Sequence, residues 1–252
     1  MIRPGVSRPL VIAHRGSSGC VPENTMAAFR RAVEEGADMI ELDVRVAGDG
    51  ELVVHHDRHL GRTSSGRGRI QDLSLEQIQS VDAGSWFSSR YAGERIPSLA
   101  EVLRWLPDGV GLDVEVKTDG DLRSRRSLAE ECVRVLGRCR WSGQLMLSSF
   151  DHTLLRSLGP VRCSLITGVI FSPVRDFQAS PSELARRVGA GVFVCSRRQL
   201  RKRHVRDAQE HGVAIACYGV NTGAQLRSVM ELGVEAVMTD FPGRINRCLI
   251  ER

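Results

Sequence analysis

The stretch Met39-Ile40-Glu41-Leu42-Asp43-Val44-Arg45-Val46 decides the fold. Apolar residues occupy its even positions, while positions 41, 43 and 45 are charged, and a period of two is typical of a β-strand. The pattern places Glu41 and Asp43 on the same face, roughly 7 Å apart along the strand. Two neighbouring carboxylates repel each other unless a cation or a proton lies between them. The pair is therefore a candidate cation site, with a solvated strand face as the alternative.

Apolar, β-branched runs like this one recur along the chain and alternate with stretches of helical spacing. The predicted strands are Pro9–His14, Met39–Val46, Val110–Lys117, Gln144–Ser149, Cys163–Ile170, Gly191–Cys195, Val213–Tyr218 and Val234–Thr239. The predicted helices include Thr25–Glu35, Ser98–Leu106, Ser127–Leu136 and Gly223–Leu232. Eight strands that alternate with helices predict a parallel sheet, and at 252 residues the economical closure is a (β/α)8 TIM barrel. The alternative is an open doubly wound sheet, but the first strand runs into His14-Arg15-Gly16 rather than into a glycine-rich phosphate loop.

A longer interval separates the second predicted strand from the helix that begins near Ser98. It contains a short apolar run at Glu51–His55, a turn-forming stretch at 63–68 and a helical piece at Ser74–Ser80. We interpret residues 47–97 as a small excursion over one end of a single barrel domain, residues 1–252, rather than as a second domain. Long excursions from a barrel often carry functional residues.

The composition is that of an ordinary globular protein, with 42% hydrophobic and 26% charged residues. No apolar stretch approaches the roughly 18 residues of a membrane span, and the N-terminus lacks the apolar region of a signal peptide. The seven cysteines are an odd number and include no CxxC pair. We therefore expect reduced thiols, no zinc site and a cytoplasmic protein. We also expect a monomer or a homodimer.

The net charge of +5 comes largely from the run between Arg197 and Arg206. Nucleic-acid binding is one interpretation of such a run. A solvated outer helix face is the interpretation that we adopt, because the run has no aromatic residue for base stacking, and we predict no nucleic-acid partner. A general attraction for anionic substrates stays open, as does peripheral contact with an anionic membrane.

Polar residues collect where the predicted strands end. In a (β/α)8 barrel the reactive groups lie at the carboxyl ends of the strands, the end that we call the mouth. Groups from the first, second, third and eighth strands and from the excursion would meet there. The candidates are His14, Arg15, Glu41, Asp43, His56, Asp57, Glu115, Lys117 and Asp240.

This combination of groups narrows the chemistry. The carboxylates of Glu41, Asp43 and Glu115 offer hard oxygen ligands for Mg²⁺ or Ca²⁺. Two histidines can act as base and acid near neutral pH. Arg15 and Lys117 can hold the negative charge of a phosphate. A hard cation, two imidazoles and two basic side chains together indicate phosphodiester cleavage.

Each group also has a structural alternative. His14 could be a packed histidine, and Glu115 could serve only as an ion-pair partner. Only one of the adjacent residues His55 and His56 can point inward from a strand. We favour His56, because Asp57 follows it and could orient it.

A predicted helix start and two further acids, Glu23 and Asp113, have structural interpretations. Pro22-Glu23-Asn24-Thr25 predicts a helix start with Asn24 or Thr25 as N-cap, although Glu23 could still lie near the metal. Asp113 lies on the same face of the third strand as Glu115 but deeper in the barrel, so we expect it to be buried with a hydrogen-bond partner.

A series of short motifs resembles the glycerophosphodiester phosphodiesterase family. They are His14-Arg15-Gly16, Pro22-Glu23-Asn24-Thr25, Gly36-Ala37-Asp38, Glu41-Leu42-Asp43-Val44, Asp49-Gly50, His56-Asp57 with Leu60 and Arg62-Thr63, Asp82-Ala83-Gly84, Ile96-Pro97-Ser98-Leu99, Glu115-Val116-Lys117, Ser148-Ser149-Phe150 and Thr239-Asp240-Phe241-Pro242. Each motif is weak alone, but their order and joint presence are highly specific.

The resemblance implies a (β/α)8 barrel with a small excursion that hydrolyses glycerophosphodiesters to glycerol 3-phosphate and an alcohol with Mg²⁺ or Ca²⁺. By match, the acid/base pair is His14 and His56; the metal ligands are Glu41, Asp43 and Glu115; and the phosphate contacts are Arg15 and Lys117. Members of the family often have Trp-Thr-Val-Asn after the seventh strand, whereas this chain has Tyr218-Gly219-Val220-Asn221. We expect Tyr218 to face the glycerol or the headgroup of the substrate.

The mechanism expected from the sequence uses His14 as base and His56 as acid, with exchanged roles as the alternative. The nucleophile is either water or the adjacent glycerol hydroxyl, which would give a cyclic phosphate. The rival function is cleavage of lipid phosphodiesters by a lysophospholipase D, for which Trp86, Phe87 and Tyr91 could form an apolar groove.

Overall fold

The computed structural model describes residues 2, 8–118, 122–137, 143–158 and 165–251. Its strands are β1 Leu10–His14, β2 Met39–Val46, β3 Leu52–Val54, β4 Gly111–Val116, β5 Leu145–Ser149, β6 Ile166–Ile170, β7 Val192–Ser196, β8 Ala214–Tyr218 and β9 Ala236–Thr239. Its α-helices are α1 Met26–Glu34, α2 Leu75–Gln79, α3 Leu99–Trp105, α4 Leu122–Gly137, α5 His152–Ser157, α6 Pro181–Val188, α7 Lys202–Glu210, α8 Gly223–Met230 and α9 Pro242–Ile250. Short 3-10 turns lie at Ile70–Asp72 and Ser89–Tyr91.

The sheet closes into the predicted (β/α)8 TIM barrel. Parallel pairing runs in the order β1, β9, β8, β7, β6, β5, β4 and β2, and β1 pairs with β2 to close the ring. The extra strand β3 lies outside the ring and pairs antiparallel with β2, so β4 is the third strand of the barrel. The predicted strand at Cys163–Ile170 is observed from Ile166 onward, and Cys163 lies outside the described residues.

Alternation along β2 directs its acids into the barrel. Met39 belongs to the apolar cluster inside the ring, while Ile40, Leu42 and Val44 belong to the cluster between the ring and the helices. Because side chains alternate across a strand, Glu41 and Asp43 share the inward face of Met39. The solvated strand face is therefore excluded.

The interior of the ring is apolar below this acidic layer. Its cluster includes Ile12, Met39, Met146, Val192, Val194, Ala214, Ala216, Ala236 and Met238. Alanines of β8 and β9 and larger side chains of β1, β2 and β5 belong to this one cluster, as in the packed interior of such barrels. Polar groups near the mouth therefore stand on a packed apolar floor.

Local signals explain where the elements begin and end. Thr25 caps α1, because its side chain accepts a hydrogen bond from the backbone of Ala28. Gly36 follows the helix with a φ of 77°, the left-handed conformation that ends many helices. The basic run begins before α7, which starts only at Lys202, so half of that run lies in a loop and not on a helix face.

Residues 47–97 form the predicted excursion and have a small apolar cluster of their own. That cluster consists of Ala47, Val53, Leu60, Ile70, Ile78, Ala83 and Ile96. A bridge between Val53 and Ser98 and the pairing of β3 with β2 fasten the excursion to the barrel. In the part of the chain that the structure describes, no helix is both long and apolar enough to span a bilayer.

Candidate active site

Three carboxylates meet at the mouth on two adjacent strands. Asp43 of β2 and Glu115 of β4 are register partners, and Glu41 lies on the same face of β2. Ligand oxygens of the three residues lie within 4.8 Å of one another. Neighbouring strands are about 4.8 Å apart, so the parallel register itself brings the acids together. All three residues are at least nine-tenths buried.

Two basic side chains surround this acidic triad. The Arg15 backbone N–H donates to Glu41 Oε2 at 2.8 Å, and its Nε lies 3.1 Å from Asp43 Oδ2. The Lys117 ammonium lies 3.0 Å from Asp43 Oδ1 and donates a hydrogen bond to Glu115. Both cations, predicted as phosphate contacts, are thus also paired with the acids.

The turn after β1 is strained in a way that serves this arrangement. Arg15 has a φ of 55°, which costs an ordinary residue free energy, and directs its N–H at Glu41. Gly16 follows with a φ of 80°, and a Cβ there would lie 2.6 Å from the carbonyl carbon of Ala28. Only glycine fits this turn against α1.

The acids differ in their electrostatic environments. Burial, together with repulsion from Asp43, raises the pKa of the Glu41 carboxyl to about 8. Burial also raises the pKa of Glu115, although Lys117 opposes this effect. Burial would raise the pKa of Asp43 as well, but Lys117 and Arg15 hold it well below its usual range. Negative charge is therefore in excess around Glu41.

The triad fits a hard divalent cation. Glu41 Oε1 is buried and, within the described ranges, accepts no hydrogen bond, whereas Asp43 Oδ1 faces the Lys117 ammonium at 3.0 Å. Buried carboxylate oxygens without donors are costly unless a cation compensates them. Oxygen-only ligands of this kind suit Mg²⁺ or Ca²⁺ rather than zinc.

His14 stands at the end of β1 with one ring nitrogen bound to an acid. Its Nδ1 lies 2.7 Å from Asp240 Oδ1, and Asn221 Nδ2 donates to Asp240 Oδ2 at 2.6 Å. Burial opposes protonation of His14, but the hydrogen bond to Asp240 and the charge of Glu41 raise its pKa above the usual value. The Asp240 contact leaves the other ring nitrogen, Nε2, for the cavity.

His56 has a matching partner in the excursion. Its Nδ1 lies 2.6 Å from Asp57 Oδ1, while Arg62 Nε donates to Asp57 Oδ2 at 2.6 Å. Burial lowers the pKa of His56, and the charges of Lys117 and Arg15 lower it further. The two histidines therefore have pKa values that are shifted in opposite directions.

A chain of charged groups joins this histidine to the barrel. Arg62 donates to Glu23 Oε1 at 2.7 Å, and Arg15 donates to the same oxygen at 2.8 Å. Glu23, which could have lain at the metal, instead joins Arg62 to Arg15. His55 is turned away and buried, with its Nδ1 2.9 Å from the Asp57 carbonyl oxygen, as expected for a structural histidine.

Eight residues were predicted to act as acid or base, to bind the metal or to contact the substrate. All of them except Asp43 line one cavity of about 230 Å³, and Asp43 lies next to it, bound to Arg15 and Lys117. The lining is His14, Arg15, Glu41, His56, Asp113, Glu115, Lys117, Ser148, Phe150, Ile170, Val194, Tyr218 and Met238. One side is charged and the other is apolar or aromatic. A larger groove of about 520 Å³ lies outside the barrel, between α1, α3 and the excursion, and shares none of these residues.

A comparison with protein families is consistent with this geometry. Residues 14–244 match the model of the glycerophosphoryl diester phosphodiesterase family. The chain belongs to this family. Glycerophosphodiester phosphodiesterases are phosphoric diester hydrolases, and the resemblance noted in the motifs is confirmed.

Relatives of the phosphodiesterase cover nearly its whole length. A glycerophosphodiester phosphodiesterase from Caldanaerobacter subterraneus subsp. tengcongensis is 35% identical over 93% of this chain and 95% of its own. One from Bacillus subtilis is 31% identical over 93% of this chain and 84% of its own. A solved Oleispira antarctica phosphodiesterase, in complex with the product sn-glycerol-3-phosphate, has a TM-score of 0.88 and 29% identity, covering 96% of this chain and 97% of that one.

Some groups at the phosphodiesterase site were not singled out from the sequence. Asn24, considered only as a helix cap, donates to Asp43 Oδ2 at 2.8 Å. Its φ of 57° is typical of asparagine in the left-handed region. Asn221 orients Asp240, and its position in the motif after the seventh barrel strand was the available signal. Phe150 follows β5 at the mouth, and the motif Ser148-Ser149-Phe150 contained it without assigning it a role.

Proposed function

We propose that this protein hydrolyses glycerophosphodiesters to glycerol 3-phosphate and an alcohol in a divalent-metal-dependent reaction, with two histidines as general acid and base. One observation carries the proposal: the acidic triad lies beside one cavity into which His14 and His56 both face. Metal ligands, proton-transfer groups and cations for a phosphate are thus within reach of one small diester.

Glu41, Asp43 and Glu115 are the proposed metal ligands, for Mg²⁺ or Ca²⁺. A bound dication would neutralise charge on the phosphoryl oxygens and favour deprotonation of the nucleophile. The buried oxygen Glu41 Oε1, which accepts no hydrogen bond within the described ranges, supports this assignment. The raised pKa of Glu41 means that the site gives up a proton when it binds a cation at neutral pH.

The opposite pKa shifts favour an exchange of the histidine roles expected from the sequence. His56, whose pKa is lowered, is neutral at pH 7 and takes the proton of the nucleophile, which is water or the adjacent glycerol hydroxyl. His14, whose pKa is raised, is the proton donor and gives its proton to the departing alkoxide. Asp240 and Asp57 each fix one ring nitrogen and so orient the other.

Arg15 and Lys117 are the proposed phosphate contacts, and Tyr218 contacts the glycerol or the headgroup. Both cations line the cavity while remaining paired with the triad, so they can bind phosphate oxygens and metal ligands together. Tyr218 lies on the apolar side with Phe150 and Ile170. A half-buried ring with a hydroxyl suits the mixed surface of a polyol.

The test is release of glycerol 3-phosphate from glycerophosphocholine and glycerophosphoethanolamine, followed with a coupled dehydrogenase. We expect turnover with Mg²⁺ or Ca²⁺, none with chelator, and a loss of about 10²–10⁴-fold in each of His14→Ala and His56→Ala. His59→Ala is the matched control, because His59 is an exposed histidine of the same excursion. Full turnover of both active-site variants, or of the chelated enzyme, would refute the proposal.

Lysophospholipase D activity is the second candidate. The exposed rings of Trp86 and Phe87 pack edge to face beside Tyr91 and could support an acyl chain. The cavity disfavours it, because 230 Å³ is below the roughly 300–1,000 Å³ of pockets that enclose drug-sized ligands. Turnover of lysophosphatidylcholine at a rate above that of glycerophosphocholine would reverse this preference.

We also propose that residues 1–252 form one barrel domain with the excursion at 47–97. The pairing of β3 with β2 and the bridge from Val53 to Ser98 support it. Limited proteolysis that released a stable excursion fragment would contradict this. The cytoplasmic location and the monomeric or homodimeric state stay predictions from the sequence.

A further inference from the structure

Exposed apolar side chains lie beside basic ones at the mouth of the barrel. Val174 and Phe177 are in the loop between β6 and α6, and they are 92% and 75% exposed. This loop follows Ile170, a residue of the catalytic cavity. It therefore belongs to the rim of the mouth and not to the sides of the barrel.

The loop is held in place, so the exposure of its apolar residues is a fixed feature of the surface. Asp176 is buried and accepts a hydrogen bond from the Ser172 backbone N–H at 2.8 Å. Arg175 Nη2 donates to the carbonyl oxygen of Phe150, another cavity residue, at 2.5 Å. These contacts attach the loop to the rim while Val174 and Phe177 point to solvent.

Basic residues lie in the next loop along the chain, between β7 and α7, and in the first turns of α7. Arg198, Arg201, Lys202, Arg203 and Arg206 are all exposed. Phe177 and Arg203 line the same surface groove, of about 370 Å³. The segments 172–180 and 197–206 contain one acid, Asp176, which is engaged inside its own loop. These two segments therefore combine exposed apolar side chains with an excess of basic ones.

We propose that this rim surface, formed by Val174, Phe177 and the basic residues of 197–206, docks on an anionic phospholipid bilayer with the mouth directed at the lipid. Apolar tips enter the headgroup and acyl boundary, while arginines and lysine attract anionic headgroups. The positive charge argues against a second copy of this chain as occupant, because two such faces repel. The aliphatic Val174 offers nothing to a nucleic acid.

Only the biological role of docking rests on the proposed function, because docking would place the cavity next to phosphodiesters derived from the membrane. Binding itself requires no catalysis. The two can therefore be tested separately on the same protein, by vesicle binding and by turnover of soluble glycerophosphocholine.

The experiment is co-sedimentation of the full chain with vesicles of phosphatidylglycerol and phosphatidylcholine, compared with phosphatidylcholine alone. We expect binding only to the anionic vesicles. Val174→Ser/Phe177→Ser should weaken the partition coefficient by about tenfold or more. Arg198→Gln/Arg203→Gln should weaken it by about fivefold per arginine at low salt. Turnover of glycerophosphocholine and the melting temperature should stay at wild-type values in both variants.

Ile250→Ser is the matched control for lost apolar exposure. Ile250 is 82% exposed and ends α9, at the barrel end opposite the mouth, because helices run antiparallel to strands in this fold. Its replacement should leave vesicle binding unchanged.

Several results would overturn the inference. They are equal binding of the wild type to both vesicle types, no binding to either, wild-type binding by the Val174→Ser/Phe177→Ser variant, and an equal loss in Ile250→Ser. The wild type could also self-associate or bind an oligonucleotide. If the Val174→Ser/Phe177→Ser variant lost that binding but kept its binding to vesicles, the surface would belong to that other partner and not to a membrane. If the wild type did not turn over glycerophosphocholine, the proposed function would be refuted instead, and the result on vesicle binding would still hold.

Discussion

Replacing Asp240 by asparagine tests the assignment of His14 as the general acid. The substitution keeps the shape of the side chain but removes a charge 2.7 Å from His14 Nδ1. Because His14 must be protonated to act, activity falls as the pH rises through its pKa. Without Asp240 that pKa is lower, so we expect the high-pH limb of the kcat profile to move to lower pH.

The size of this shift follows from the geometry. Unit charges about 4 Å apart interact by about 4 kcal/mol at an effective dielectric constant of about 20. The side chains of His14 and Asp240 are 31% and 34% exposed, so solvent screening reduces the interaction to about 1–2 kcal/mol. Since one pKa unit corresponds to about 1.36 kcal/mol, the limb should move by about one pH unit.

The assay is kcat for glycerol 3-phosphate release between pH 5 and 9 at saturating metal and substrate. Asp57→Asn is the matched variant, because Asp57 is bound to His56 in the same way. Its loss lowers the pKa of the base, so the low-pH limb should move to lower pH instead. A high-pH limb that stays in place in Asp240→Asn, or one that moves in Asp57→Asn alone, would refute the assignment of His14.

Three further changes test other parts of the site. A carboxyl whose pKa is raised on folding destabilises the folded state once it ionises, so the chelated protein should lose stability as the pH rises towards about 8. Glu41→Gln should reduce that loss in thermal melts, with Asp113 and Glu115 contributing the rest. A pH slope as steep in the variant as in the wild type would contradict the assignment to Glu41. Gly16→Ala should lower the free energy of unfolding in urea by about 1–3 kcal/mol, because the new Cβ would collide with Ala28. A variant as stable as the wild type would contradict the close contact between Gly16 and Ala28. Burial raises the pKa of Asp113 to about 8, so this carboxyl is neutral at pH 7. Asp113→Asn should therefore retain turnover and the hydrogen bond from Ser148. A loss of turnover as large as that of a triad variant would show that the charge of Asp113 is required.

The sequence predicted those parts of the structure that depend on the strand period. Parity places Glu41 and Asp43 on one face, and the parallel register with β4 then brings Glu115 beside them. Parity allowed only one of His55 and His56 to point inward, and the neighbouring Asp57 favoured His56, which lines the cavity while His55 is buried away from it. The alternation of strands and helices was sufficient for the closed barrel.

The contacts that join separate loops could not be predicted from any local pattern. Nothing in the spacing of Glu23 and Arg62 shows that they meet, because their contact depends on how the excursion packs against the loop between β1 and α1. The opposite pKa shifts of His14 and His56 also depend on tertiary burial and on neighbours from other strands. The sequence therefore left the two proton-transfer roles interchangeable.

The link from Arg62 through Glu23 to Arg15 has a consequence for how such enzymes diverge. It fastens only the first third of the excursion, near His56, whereas the rest is supported by its own cluster around Ile78 and Ile96. Insertions or deletions after Arg62 can therefore change the later part of the excursion without displacing the imidazole of His56.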